Sequence, residues 1–364
     1  HCCKISRDAD VMVDDAPSAE VMVEQLKKKV KKRKIGAVCR FVYDRHMPAD
    51  FLNYLIDAFS INPDELVPGD KHLNLEDLAH LPNPNPDLKR GEPMPPMTLN
   101  YLNKKQSILK YVAKRDLLLH YPYHSFDHFI HFLYEAVHNP AVKEIMITQY
   151  RVAPHSEVIN TLIAAAQNGK KVTVLVEPKA RFDEENNLAT AELMQKAGIH
   201  IIYSIPGLKV HAKVALVLCR EKDGKAKTSY AYISTGNFNE KTATVYSDSA
   251  LFTSNPEIVD DLHQLFRVLG RELEAPSFKH LLLGLLEYEK QEALDGRPAH
   301  VVLKMNALQD KAMIDELYRA SEAGVQIDLM VRGICCLIPN QPYSRNIRIT
   351  RIVDGFLEHA RVWY

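Results

Sequence analysis

Residues 207–218 read GLKVHAKVALVL, a histidine and a lysine two positions apart at the head of an apolar run. Side chains alternate along an extended strand, so His211 and Lys213 are expected to point one way while Val210 and Ala212 face the other. That places an imidazole beside an ammonium. A neutral imidazole can attack phosphorus and carry the group covalently, and an adjacent cation offsets charge on the phosphate oxygens. The pattern is short, and ordinary surface or core pairs produce it too, so its surroundings decide the reading.

Those surroundings alternate strands with helices. Glu144–Arg151 reads as a strand; a helix from Ser156 closes at Gly169, and 171–177, KVTVLVE, reads as a strand buried on both faces. A helix over Ala191–Ala197 ends at Gly198, and strands follow at 199–203, 210–218 and 229–234. Asn255 and Pro256 open another helix. This order predicts a mostly parallel sheet with helices on its faces. Ligands of such sheets bind beyond the strand ends, where Arg151, Glu177, Arg181 and the STGN turn after Ile233 fall.

The pattern then starts again. VVLKMNAL at 301–308, a helix over 310–323, Gly324 and VQIDLMVRG repeat the strand, helix, glycine and strand of the earlier segment. Gly169 and Gly324 are 155 positions apart, as are Arg151 and Asn306, which reads as an internal duplication. The next histidine of the second copy, His359, is the counterpart of His211. Two such halves packed face to face bring both histidines to one cleft. Arginines suit the remainder, because a planar guanidinium grips phosphate oxygens with paired hydrogen bonds; Arg151, Arg181 and Arg332 each follow a strand.

Upstream, Ser125 is expected to cap a helix carrying Phe126, Phe129, Ile130, Leu133 and Val137. Six prolines between Pro82 and Pro96 mark a boundary. Before it, alternation in 4–16, a helix over Glu20–Lys34, a strand over 37–42 and a helix over 49–59 make a small α+β unit. Seven basic residues lie within 27–34; they could hold an anionic polymer, or stay solvated while complementing a helix dipole. The domains expected are therefore 1–97, 98–278 and a shortened 279–364.

The chain's 364 residues suit two or three domains, and 46 Lys and Arg balance 46 Asp and Glu. A polyanion must then be held by a local cluster of cations. No apolar run approaches the roughly 20 residues that span a bilayer. The six cysteines include the adjacent pairs Cys2-Cys3 and Cys335-Cys336, which fit neither a zinc knuckle nor a disulfide framework and suit a reducing cytoplasm. Starting at His1 and stopping at RVWY, the chain reads as an internal fragment.

In order, HYPYHSFDHF, ITQYR, VTVLVEPKARFDEENN, GLKVHAK, AYISTGNFNEKTATVYSD, VRGICCL and VDGFLEHARV resemble the bacterial polyphosphate kinases of the large, phosphohistidine-forming type. The resemblance implies an α/β chain whose two halves have the phospholipase D fold, behind a small α+β domain. It implies reversible transfer of the terminal phosphate of ATP to inorganic polyphosphate, with Mg²⁺, through a phosphorylated histidine that falls on His211. Tyr246, Arg332 and His359 match nucleotide-contacting positions, and His359 is also the expected proton donor. Arg151 and Arg181 match positions associated with magnesium. A guanidinium cannot ligate the ion, so these two are expected to grip phosphate oxygens shared with it, beside Lys213. The partners implied are ATP or ADP and polyphosphate, without nucleic acid; a homo-oligomer is expected, and peripheral membrane association of the parent protein is left open.

Two departures separate the chain from the phospholipase D pattern: Leu218 stands where an aspartate is expected, and Arg361 replaces lysine in the second motif. Both count against the alternative of a phosphodiesterase. A further alternative is a polyphosphate-binding fragment without turnover. Singly, His211 also reads as a core histidine, Tyr246 as a packed aromatic, Arg332 as a partner of Glu177 or Asp328, and Asn237 and Asn239 as turn residues. His128, His131 and His138 are assigned no role.

Overall fold

A computed structural model of the chain describes residues 2–8, 17–32, 36–82, 84–85, 87, 94–102, 106–153, 155–180, 183–204, 209–220, 228–270 and 278–364. It divides into two units, 1–94 and 95–364. In the first, β1 (Cys3–Arg7) pairs antiparallel and β3 (Leu66–Gly69) parallel with the central β2 (Val38–Asp44). Phe41 of β2 is fully buried between Val38 and Ile61, while α2 (Ala49–Phe59) keeps its expected bounds. Helix α1 (Ala19–Lys32) carries the start of the basic run, where Lys28 pairs with Glu24 at 3.3 Å, one helical turn away in solvent. Arg33, Lys34, the acidic stretch 9–16 and much of the proline-rich segment lie outside the described residues.

The second unit opens with α3 (Ile108–Val112), β4 (Leu117–Tyr121), α4 (Asp127–His138) and β5 (Val142–Gln149). Then come α5 (Glu157–Gln167), β6 (Lys171–Val176), α6 (Glu184–Lys196), β7 (His200–Tyr203), β8 (Lys213–Cys219), β9 (Tyr230–Ser234), β10 (Tyr246–Thr253) and α7 (Pro256–Leu269). The caps follow the sequence: Ser156 Oγ accepts from the Val158 N–H at 3.2 Å, and Gly169 supplies the positive φ of 75° that ends α5. At α4 the cap position moves one residue to Phe126, yet Ser125 Oγ still accepts from the Asp127 N–H at 3.1 Å.

The expected mostly parallel sheet is corrected to a mixed one. β5, β6 and β7 run parallel, whereas β5–β8, β8–β9, β9–β10 and β10–β4 are antiparallel. No described α-helix separates β8 from β9 or β9 from β10, so each strand turns back on its predecessor. One face is closed by an apolar cluster that includes Phe129, Phe132, Tyr232 and Phe252, the other by Leu262 and Phe266 of α7. Phe129 packs tilted on Tyr232 at 4.3 Å and stacks on Phe238 at 4.8 Å, packing the turn after β9 against α4.

After α8 (Phe278–Leu294) the second half supplies β11 (His300–Met305), α9 (Lys311–Ala323), β12 (Gln326–Val331), β13 (Ile347–Thr350), β14 (Leu357–Glu358) and β15 (Val362–Trp363). Its order β13-β12-β11-β15 repeats β7-β6-β5-β8, three parallel strands and then one antiparallel. Gly324, with φ of 110°, ends α9 as Gly169 ends α5. The duplication is thus structural as well as sequential, and the chain is α/β as expected. One strand leaves its own half: β14 pairs parallel with β10, through Tyr246 with Leu357 and Ser247 with Glu358.

Candidate active site

Lys213 is the first residue of β8, so His211 stands just before the strand, not within it. The two side chains still meet, for a reason other than strand alternation. The buried Lys213 ammonium turns back to His211, lying 2.8 Å from its Nδ1 and donating to its carbonyl at 2.6 Å. The approach is pinned by Glu177, a fully buried carboxylate after β6 that accepts the Val210 N–H at 2.8 Å and the Lys179 N–H at 3.0 Å. Tyr150, directly after β5, sets its ring 4.6 Å from the imidazole in a T-shaped contact.

Loss of solvent, then the charges of Lys213, Arg361, His359 and Lys209, push the His211 imidazole down to about 3. Burial, then Arg361, lowers Lys213 to about 7. Both values lie below those of the unfolded chain, 6.5 and 10.5. In the windows between, the unfolded state binds more protons, so both groups contribute stability that falls as pH is lowered through each window. NMR titration is expected to find His211 still neutral well below pH 6.5 and Lys213 losing its proton as pH rises through about 7. A His211 midpoint near 6.5 would contradict this.

His359 enters from the second half directly after β14, with its N–H donating to the Ser247 carbonyl at 3.0 Å. Its charge is among those that lower the basicity of His211, which sets the duplicated histidines within electrostatic reach of each other. His359 Nδ1 is 2.8 Å from Asp248 Oδ1, both residues being buried. With the carboxylate accepting, Nδ1 carries the proton and Nε2 is left to the site. The same oxygen accepts from Thr235 Oγ1 at 2.6 Å, and Tyr246 stacks tilted on His359 at 5.2 Å.

Gly236, in the turn after β9, leaves room for this pair. A Cβ there would sit 2.7 Å from Asp248 Oδ2 and 2.9 Å from its Cγ, in a side chain already held by two partners. Gly236→Ala is therefore expected to cost about 1–3 kcal/mol of stability and to displace the carboxylate. Denaturant unfolding and the His359 NMR signals would check both; an unperturbed His359 would refute the close fit.

The cations are less uniform. Arg361 donates to the His359 carbonyl at 2.7 Å; burial, then Arg332, draws its pKa below the usual guanidinium value while Asp248 opposes the shift. Arg332 is held by Asn306 Oδ1 at 3.0 and 2.5 Å and by the Glu358 carbonyl at 3.0 Å, not by Glu177 or Asp328. Arg151 pairs with Asp183 at 2.8 Å, and Arg181 lies outside the described residues. Asn239 is a turn residue whose Oδ1 accepts the N–H groups of Lys241 and Thr242. The carboxamide of Gln149 and Oδ1 of Asn237 are buried and find no partner among the described residues, at the ends of β5 and β9. His128 is satisfied structurally by Ser125 and the Leu99 N–H.

Asp248 is the member that the sequence left without a role, and Glu177 was placed only at a strand end. Asp248 lies in YSD, inside a strand that the alternation in sequence does not announce, and Glu177 ends an otherwise apolar strand. An acid within or directly after an apolar strand was the available signal for both.

Family models match along the chain: the polyphosphate kinase middle domain over 1–81, C-terminal domain 1 over 107–275 and C-terminal domain 2 over 275–364. The chain is 38% identical to a polyphosphate kinase of Vibrio vulnificus over 374 residues, covering all of this chain and 53% of that protein. It is 40% identical to one of Yersinia pestis over 376 residues, covering all of this chain and 54% of the relative. The crystal structure of polyphosphate kinase from Porphyromonas gingivalis superposes with a TM-score of 0.78 at 44% identity, over 99% of this chain and 53% of that one. The chain thus spans about half the length of the relatives it matches.

Proposed function

The chain belongs to the polyphosphate kinase family, and from that premise we propose that the protein moves the terminal phosphate of ATP reversibly onto inorganic polyphosphate through a phosphohistidine at His211. The observation that carries this reading is the meeting of two histidines from duplicated halves, one neutral beside Lys213, the other backed by Asp248. A neutral imidazole retains the lone pair that attack on phosphorus requires.

In the first transfer an imidazole nitrogen of His211 bonds to the γ-phosphorus, and the bond to the bridging oxygen breaks. ADP leaves with that electron pair, while Nε2 of His359 supplies a proton or hydrogen bond to the departing oxygen. In the second, the terminal oxygen of polyphosphate attacks the same phosphorus and the N–P bond breaks, restoring the imidazole. Lys213, Arg361 and Arg332 would steady charge on the oxygens in flight, and Tyr246 would border the nucleotide. Arg151 and Arg181 remain proposed phosphate contacts.

Magnesium does not fit a cage built by this chain. Among the described residues no three His, Cys, Asp or Glu side chains gather to hold an ion, and Arg151 can offer no lone pair. We therefore treat the ion as part of the nucleotide substrate and assign it no ligand here. Among the described residues no helix is long and apolar enough to cross a membrane; cytoplasmic action by an assembly of like chains belongs to the same proposal.

The test is incubation with γ-labelled ATP, with and without a polyphosphate primer. Acid-labile label on protein and long labelled polymer are expected. Hydrolysis of a phosphodiester without nucleotide dependence would overturn the reading.

A further inference from the structure

We propose that Tyr150 is a positioning residue for the nucleophile: its aromatic ring fixes the His211 imidazole and keeps the Lys213 ammonium against it. The inference rests on the proposed role of His211 and goes beyond it. The buried ring meets four groups. His211 packs on it at 4.6 Å with planes at 68°, and Lys213 Nζ lies over it at 4.8 Å. The Arg151 guanidinium lies 5.5 Å and Lys209 Nζ 5.8 Å from its centroid.

All three cations fall within the distance at which an aromatic quadrupole attracts positive charge. Three neighbours surround Lys213 Nζ: His211 Nδ1 at 2.8 Å, the His211 carbonyl, to which it donates at 2.6 Å, and the π face of Tyr150 at 4.8 Å. Without the ring the ammonium faces Arg361 and Arg151 with one contact fewer, and the imidazole loses the flat surface that sets its tilt. The backbone of Tyr150 is itself anchored, its carbonyl accepting from Asn187 Nδ2 at 2.9 Å. The ring, not the hydroxyl, makes these contacts.

Three variants separate packing from electrostatics. Tyr150→Phe keeps ring and quadrupole; Tyr150→pentafluorophenylalanine keeps the shape but reverses the quadrupole; Tyr150→Leu removes the ring. The Phe variant is expected to label His211 within about twofold of the parent rate. The fluorinated and Leu variants should slow labelling by on the order of tenfold or more, with KM for ATP little changed. Their loss of rate with rising pH should begin at lower pH, because the cation held by the ring gives up its proton sooner. NMR titration of His211 without nucleotide should shift in the fluorinated variant and not in the Phe variant. Equal rates, pH profiles and His211 titrations in the Phe and fluorinated variants would overturn the proposal. If the parent takes no label, the phosphohistidine reading fails, and the nucleotide-free titration still decides the role of Tyr150.

Discussion

In His211→Ala, acid-labile label from γ-labelled ATP is expected to fall to background, a loss on the order of 10³-fold or more, as when a nucleophile is deleted from a site whose binding groups remain. His211 stands before β8 and outside the apolar clusters, so its truncation is expected to leave the fold intact. Lys213, Asp248 and His359 keep their backbone anchors in the variant, and nucleotide can still bind. That separates loss of chemistry from loss of fold, which denaturant unfolding would verify. Histidine label retained by the variant would remove His211 from the mechanism.

The second large effect is expected at Asp248. Asp248→Asn leaves an acceptor for Thr235 but takes away the carboxylate that holds a proton on His359 Nδ1 and steadies the charged ring. Turnover should fall by about 10²–10⁴-fold, with KM for ATP nearly unchanged, as expected for a lost proton donor and a misdirected tautomer. If Asp248 acts through His359, Asp248→Asn with His359→Ala should be no slower than His359→Ala alone. Additive losses would sink the pairing, and so would an Asp248→Asn enzyme of normal rate.

Much of this arrangement was legible in the chain. The apolar periods of α5, α7 and α9 and the end glycines Gly169 and Gly324 announce their elements, because caps and core faces are local requirements. The common offset reveals the duplication that the strand orders repeat. What was hidden is non-local. Nothing in the sequence marks β10 as the strand that pairs with β4, β9 and β14 together, and Asp248 becomes a partner for His359 only through that pairing. Helix α6 begins at Glu184, well before the expected Ala191, because its first turns carry acids and amides in place of an apolar stripe. Direction differs too: β8 and β9 resemble buried parallel strands in composition, but close succession sends them back and forth.

The two-residue strand β14 sets how firmly the site is closed. Its pairs with Tyr246 and Ser247, with the His359 and Ala360 amides on the Ser247 carbonyl, secure this edge, and slippage by a single residue would turn the imidazole toward the opposite face. Fraying of so short a segment needs no wider unfolding. Amide exchange at His359 should therefore outpace that within β5 and β6, and competence of the proton donor becomes a local equilibrium, separable from the persistence of the folded chain.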